Sequence, residues 1–384
     1  MYSIIWLIIL KKQQTSDKMI RVENLSSVLN TKSGYNYVLN DVSMELNSGK
    51  TIGIIGESGS GKTQLMLAVT GSQPLTPGIF KGKVIYNIEG DKKNLYPDLE
   101  THEYELFLRN NNYFRKHQHR FSKTVEKSFS QLKQNKIGFI PQDPRVFLNP
   151  YWTIGMLFRQ VYQKIKPHIS FEDFFDKYIL KVQLDPNSVI NQYPHELSGG
   201  MAQRVMIAFI LSQEPEIIIG DECTTGLDVG NQKIIIDLLK TIKNNNPTIT
   251  LILISHDIGF LNHLVDEIYV MYGGYLIEYI KNKDRLFKDN GDLHPYTQDL
   301  RKSLIPKSEY SIDKVDELTS EIRLDISSKG CPYSYSGQCE IYTANESLDC
   351  KNKMPDIINL NNKSGDSEAN LDKDWIRCWG YSEQ

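Results

Sequence analysis

Three things are scarce in this sequence: an excess of positive charge, long apolar runs, and cysteine outside one region. The formal net charge is -3 at pH 7, which speaks against a general nucleic-acid binder with its usual basic surplus. The opening "MYSIIWLIIL" is apolar for only ten residues, whereas a helix crossing a bilayer needs about 20. Lys11 and Lys12 follow that run, but a secretory signal carries its positive charge first. Residues 1–18 are therefore read as an N-terminal tail, with the first domain opening at Met19 in "MIRVENL". No later stretch is long and apolar enough to span a membrane, so any membrane role is peripheral. Cys223 stands alone, while Cys331, Cys339, Cys350 and Cys378 crowd the end of the chain.

What is present fits a folded enzyme. The 384 residues are 40% hydrophobic and 24% charged, enough for one large domain and a smaller one. No internal repeat is visible. Buried-strand patterns such as "KTIGIIG", "EIIIGDE" and "TLILISHD" alternate with helical ones such as "GGMAQRVMIAFILSQ" and "NQKIIIDLLKTIK". That order predicts an α/β core with a covered sheet. Short strands with turns flank the first core strand. Residues 150–205 read mostly as an inserted helical subdomain. Residues 97–136 read as a polar insertion, with Phe114, Phe121, Val125, Phe129 and Leu132 at helical spacing. A solvated helix is the favoured reading of its basic surplus, and a basic contact surface the second. The first, larger region is placed at 19–287 and a polar, irregular extension at 288–384.

The stretch "GESGSGKT" follows a strand and opens a helix. Gly56, Gly59 and Gly61 allow turns that aim consecutive N–H groups of Glu57, Ser58, Ser60 and their neighbours at phosphate. Lys62 supplies charge to the β- and γ-phosphates, and Thr63 a hydroxyl to Mg2+. In "EIIIGDE", Asp221 ends an apolar strand where it could hold Mg2+, and Glu222 could polarise an attacking water. Alone, two acids after a strand are equally a turn cap. In "YPHELSGGMAQR", Ser198, Gly199 and Gly200 precede a helix and make a second anion-seeking turn. Two such turns in one chain suggest nucleotide shared between subunits.

"LSGGMAQR" resembles the signature of ATP-binding-cassette (ABC) ATPases, and the remaining motifs fall in that family's order. The resemblance assigns Gln142 in "PQD" to the loop joining core and helical subdomain, with a share in Mg2+. It assigns Asp228 in "GLD" to the partner-facing loop and His256 in "ISHD" to the γ-phosphate switch. An adenine-stacking aromatic is expected before "NDVSMEL"; Tyr35 is the candidate, with Tyr37 beside it, and a half-buried strand tyrosine is the plain alternative. "PQDPRVFLNPYWTIG", "PHELSGGMAQRVMIA", "MYGGYLIE" and "HPYTQDL" narrow the resemblance to the dipeptide, oligopeptide and nickel importer ATPases. The fold so implied is a P-loop NTPase core with an antiparallel β subdomain, an inserted helical subdomain and a small irregular Cys-containing C-terminal extension. Gly220 and Cys223 depart from that family's usual alanine and proline.

The resemblance implies an ATP-hydrolysing importer subunit at the cytoplasmic face of the membrane. It would work with a second ATPase subunit, two permease subunits and, indirectly, an external solute-binding protein, without nucleic acid. The rival is a soluble cassette ATPase of repair, translation or cofactor assembly. ATP and Mg2+ are the expected ligands. Cys331, Cys339, Cys350 and Cys378 are the right number for a [4Fe–4S] cluster or a zinc site. Without a tight C-x-x-C pair, four reduced thiols in a structural extension are the alternative.

Overall fold

Apolar residues recur along the first two strands so that one face is buried. Strand β1 (Lys18–Thr31) buries Ile20, Val22, Leu25 and Val28, and β2 (Gly34–Asn47) buries Leu39, Val42, Met44 and Leu46. The spacing is not strictly two. The register slips between Val22 and Leu25, where Asn24 takes a positive φ of 48°. That bulge returns the apolar set to the same face. The computed structural model describes residues 18–31, 34–72, 77–88, 91–96, 137–288, 292–302, 330–336, 339, 341, 350–351, 353–360 and 373–378. Residues 1–17 of the expected 1–18 tail and the expected insertion at 97–136 lie outside the described residues, whereas Lys18 already belongs to β1.

β3 (Thr51–Ile55) enters the core, and α1 (Lys62–Val69) leaves the phosphate loop. β4 (Pro77–Ile88) and β5 (Asp91–Asn94) complete an antiparallel sheet of order β2-β1-β4-β5. This is the expected antiparallel subdomain. After β6 (Ile137–Ile140) comes a helical stretch. It runs α2 (Pro144–Phe147), α3 (Ile154–Ile165), α4 (Phe171–Lys181), α5 (Pro186–Val189) and α6 (Gly199–Leu211). Caps explain these starts. Thr153 accepts from the Met156 N–H, Ser170 from Asp173 and Ser198 from Met201. Edge-to-face rings tie α3, α4 and α6 together: Phe158 lies 5.1 Å from Phe175 and 5.6 Å from Phe209.

The chain then alternates β7 (Ile217–Asp221), α7 (Val229–Asn245), β8 (Thr250–Ile254), α8 (Ile258–Asn262), β9 (Glu267–Tyr272) and β10 (Tyr275–Ile280). Helices α9 (Asp284–Phe287) and α10 (Pro295–Lys302) follow. With two short C-terminal strands, β11 (Ile358–Asn359) and β12 (Trp375–Ile376), the main sheet has the order β11-β12-β10-β9-β3-β8-β7-β6, parallel from β9 to β6. Strands β3, β7, β8 and β9 are buried along their whole length, as a sheet covered on both faces requires. Because β3, β8 and β7 are neighbours, the loops after them meet at one edge, where α/β sheets bind ligands.

The described part of the C-terminal region adds to the main sheet. β11 (Ile358–Asn359) and β12 (Trp375–Ile376) extend the main sheet by antiparallel pairing onto β10. Trp375 is fully buried beside Tyr269 and Tyr279. Two-residue strands carry no readable period; the open edge of β10 creates them.

Candidate nucleotide site

The phosphate loop turns where Gly56, Gly59 and Gly61 take positive φ values of 148°, 81° and 101°. At Gly56 a Cβ would lie 2.1 Å from the Met271 carbonyl oxygen, and at Gly61 2.6 Å from that of Val38. Only glycine fits there. Lys62 opens α1 and folds back over the loop. Its ammonium donates to the Gly56 and Glu57 carbonyls at 2.8 and 2.6 Å. Burial pushes its pKa down, opposed by the carboxylates of Glu222, Asp221 and Glu57.

The Thr63 hydroxyl donates to Asp221 Oδ2 at 2.8 Å, across the gap between loop and β7. Burial pushes the Asp221 carboxyl up, and the Thr63 hydrogen bond pulls it back. One hydroxyl and one carboxylate at this point suit Mg2+, which keeps waters and takes its remaining ligands from phosphate. Glu222 follows in a left-handed conformation (φ 47°), its N–H donating to the Ile254 carbonyl at 2.9 Å. That turn sends its carboxylate towards the end of β8. There Oε1 lies 3.1 Å from His256 Nδ1, and Oε2 accepts from the Thr225 hydroxyl at 3.3 Å. A carboxylate held between a histidine and a hydroxyl, beside an Mg2+-suited pair, has the geometry of a base for water.

Three other sequence candidates lie on the surface. Gln142 is exposed just past β6, and Ser198 and Asp228 are exposed helix caps of α6 and α7. Gly200 packs against Asn231; a Cβ there would lie 2.4 Å from its Oδ1. Gly199 sits near Arg145 and Leu227. Tyr35 stands opposite Asn30 in the β1–β2 register, but its side chain lies outside the described residues. Tyr37 is half-buried, its ring 5.8 Å from that of Phe80.

The two departures from the family pattern are neighbours in space. A Cβ at Gly220 would lie 3.3 Å from Cys223 Sγ and 3.2 Å from Leu253 Cδ2. The sulfur takes room that an alanine at 220 would need. Burial pushes the Cys223 thiol up to about 12.

Cys331, Cys339, Cys350 and Cys378 are each 6% exposed. The Cys331 N–H donates to the Cys350 carbonyl at 2.7 Å. Cys378 and Cys339 are close enough to act electrostatically on the Cys331 thiol, which burial pushes up to about 12. The extension thus folds the four into one region. Yet among the described residues no group of three or more His, Cys, Asp or Glu side chains is arranged to hold a metal ion. The expected iron–sulfur or zinc site finds no support among the described residues.

Sequence reasoning missed two features. Val146, Phe147, Tyr151, Trp152 and Met156 form an exposed apolar surface around α2 and the start of α3. It adjoins a groove lined by Leu67, Ile137, Phe139, Phe147, Met206 and Phe209. The second is Tyr296, whose phenol reaches the phosphate loop. Its only signal was the "HPYTQDL" motif, which names no contact.

A phosphate loop, a carboxylate pair and a capped signature turn on this sheet define an ATP-binding-cassette ATPase. Residues 39–225 match the family model described as ABC transporter, and the chain belongs to that family. Within it, the chain is similar to peptide-transport subunits. It is 33% identical to the oligopeptide transport ATP-binding protein OppD of Bacillus subtilis, covering 75% of this chain and 72% of that one. It is 33% identical to the dipeptide transport ATP-binding protein DppD of Caldanaerobacter subterraneus, covering 75% and 78%. The fold resembles the dimeric ATP-binding cassette MJ0796 bound to ADP and Pi. There the TM-score is 0.52 at 23% identity, over 68% of this chain and 97% of that one. Membership of this family implies ATP hydrolysis with ATP and Mg2+. No described helix is long and apolar enough to cross a membrane.

Proposed function

We propose that this chain is the ATP-hydrolysing subunit of an ABC importer for peptides, or for nickel or a related small solute. The observation that carries the hydrolytic half is Glu222, held between His256 and Thr225 next to the Thr63–Asp221 pair. In this reading the phosphate loop and Lys62 bind the β- and γ-phosphates, and Thr63 and Asp221 would hold an Mg2+ that would supply charge neutralisation there. Glu222 takes a proton from the attacking water, and His256 orients Glu222 and senses the γ-phosphate. Ser198, Gly199, Gly200 and Asp228 complete the site of a second ATPase subunit, so ATP favours the closed pair.

The transport half is supported by the similarity to oligopeptide and dipeptide transport ATP-binding proteins. Two permease subunits would supply the membrane path, with a solute-binding protein acting through them. The chain would then sit peripherally at the cytoplasmic face. The exposed Phe147, Tyr151, Trp152 and Met156, beside the groove at Phe139 and Phe209, suit docking of a permease segment. Gln142 precedes that surface and would link it to the nucleotide.

Glu222→Gln is the test of the hydrolytic half. The variant should keep ATP binding, lose nearly all turnover and accumulate an ATP-bound dimer. Turnover near that of the unaltered chain would overturn the role of Glu222. Recovery of two permease subunits from detergent-solubilised membranes tests the transport half; a chain that stays soluble without them would overturn it.

A further inference from the structure

The phosphate loop is gripped from a part of the chain far from it in sequence. The Glu57 N–H donates to the Tyr296 phenolic oxygen at 2.9 Å. Tyr296 is completely buried in α10. Its own N–H donates to His294 Nδ1 at 3.2 Å. Its ring is walled by two others: Tyr272 at 4.4 Å and Tyr333 at 5.5 Å between centroids. Tyr333 is anchored in turn, its phenol donating to Asp299 Oδ2. His294 Nε2 lies 4.0 Å from Cys331 Sγ. A continuous set of contacts therefore runs from the cysteine-bearing extension, through His294, Tyr333 and Tyr296, to the first turn of the phosphate loop.

The grip falls at a sensitive point. Glu57 also offers its carbonyl to Lys62 at 2.6 Å. Tyr296 thus holds from outside the same residue that the loop lysine holds from inside. A phenol buried among rings has little rotational freedom, so the oxygen it presents is fixed in position.

We propose that Tyr296 is a positioning residue for the phosphate loop, setting its shape before nucleotide arrives. In this role the C-terminal extension supports nucleotide affinity, although none of its side chains need touch ATP. The inference rests on the reading of Gly56–Thr63 as the ATP-binding loop. A loop held in its binding shape gives up less freedom on binding. Loss of the hydroxyl leaves the Glu57 N–H unpaired and the loop freer to wander. One neutral hydrogen bond corresponds to roughly a fivefold change in an equilibrium constant.

The experiment compares Tyr296→Phe and Tyr333→Phe in the full chain, measuring ATP affinity by calorimetry together with KM and kcat. Tyr296→Phe keeps the ring and its packing. Its ATP affinity should fall and its KM rise by roughly fivefold, with kcat within about twofold. Tyr333→Phe loses a buried hydroxyl in the same cluster, and should lower the melting temperature while leaving affinity unchanged. A folded Tyr296→Phe with unaltered affinity would overturn the proposal. So would an equal loss in Tyr333→Phe, which would mark the cluster as packing alone. Failure of the unaltered chain to bind ATP would instead overturn the nucleotide-site reading. If Tyr296→Phe does not fold, hydrogen exchange of the Glu57 amide in the unaltered, nucleotide-free chain decides: protection supports the grip, and exchange at the rate of an open loop refutes it.

Discussion

Gly220 and Cys223 replace an alanine and a proline usual in the family, and their contact makes a quantitative test. A Cβ added at Gly220 would meet Cys223 Sγ at 3.3 Å and Leu253 Cδ2 at 3.2 Å. Ordinary carbon contacts begin a few tenths of an ångström further out, so both neighbours must yield. Gly220 lies in β7, paired with Ile140 on one side and Leu253 on the other. The sheet there has little room to move. Overpacking of this mild kind costs about 1 kcal/mol, partly offset by the smaller backbone entropy of alanine. Cys223→Ala removes the sulfur from a site only 2% exposed and leaves a small void, also costing about 1 kcal/mol. In the double variant the new methyl occupies part of that void. The two changes should therefore couple favourably by about 1 kcal/mol. Urea unfolding of the four proteins measures the coupling, with equal m-values required for a clean reading. Turnover is a second readout, because Glu222 lies between the two positions on the chain. Additivity within about 0.3 kcal/mol would refute the claim that the two residues compensate one another.

Three further outcomes are expected. Gly56→Ala should abolish ATP binding and lower the melting temperature, because its Cβ would fall 2.1 Å from a backbone oxygen at φ 148°; retained binding measured by calorimetry would refute this. Lys62→Ala should weaken ATP at least about tenfold, since a charge-assisted contact is worth about 1.5–3 kcal/mol; unchanged affinity would count against the loop. Glu278 is fully buried, and burial pushes its carboxyl up to about 7 despite the Arg285 guanidinium beside it. Its folded pKa thus exceeds its unfolded value, so it favours the fold below about pH 4.5 and loses that contribution as pH rises through about 7. Glu278→Gln should flatten the fall in stability over that window, by at most about 3 kcal/mol; parallel pH–stability curves for the two proteins would refute it.

The parts of the fold legible in the sequence are those fixed by local chemistry. The phosphate loop needs glycine at turns of positive φ, and the strands before it and before Asp221 need unbroken apolar runs. Both demands are written within a few residues. Helix caps such as Thr153, Ser170 and Ser198 are equally local. What sequence reading missed depends on distant partners. Tyr296 and Glu57 are 239 positions apart. The pairing of Trp375 and Ile376 onto β10 depends on an edge that only the folded sheet exposes. Phe147, Tyr151 and Trp152 read as ordinary apolar residues because no local pattern separates a buried aromatic from an exposed one. Gly220 and Cys223 were visible as two departures; only the sheet geometry puts them in contact.

The polar groups of the site find partners within the chain. The Lys62 ammonium rests on two carbonyls of its own loop, the Thr63 hydroxyl on Asp221, and His256 on Glu222. A buried ammonium or carboxylate left without partners would cost several kcal/mol, so these internal bonds stabilise the site. Each of them also involves a group that ATP, Mg2+ or the attacking water would claim. On the proposed reading, binding would be an exchange in which the loop lysine left the carbonyls for phosphate and Thr63 shared its hydroxyl with the metal. Net affinity depends on how little the loop must rearrange while that exchange occurs. The Tyr296 bond is the exception among these contacts, because its partner is the Glu57 N–H and not a catalytic side chain. It can persist through the exchange, holding one end of the loop still while Lys62 changes partners.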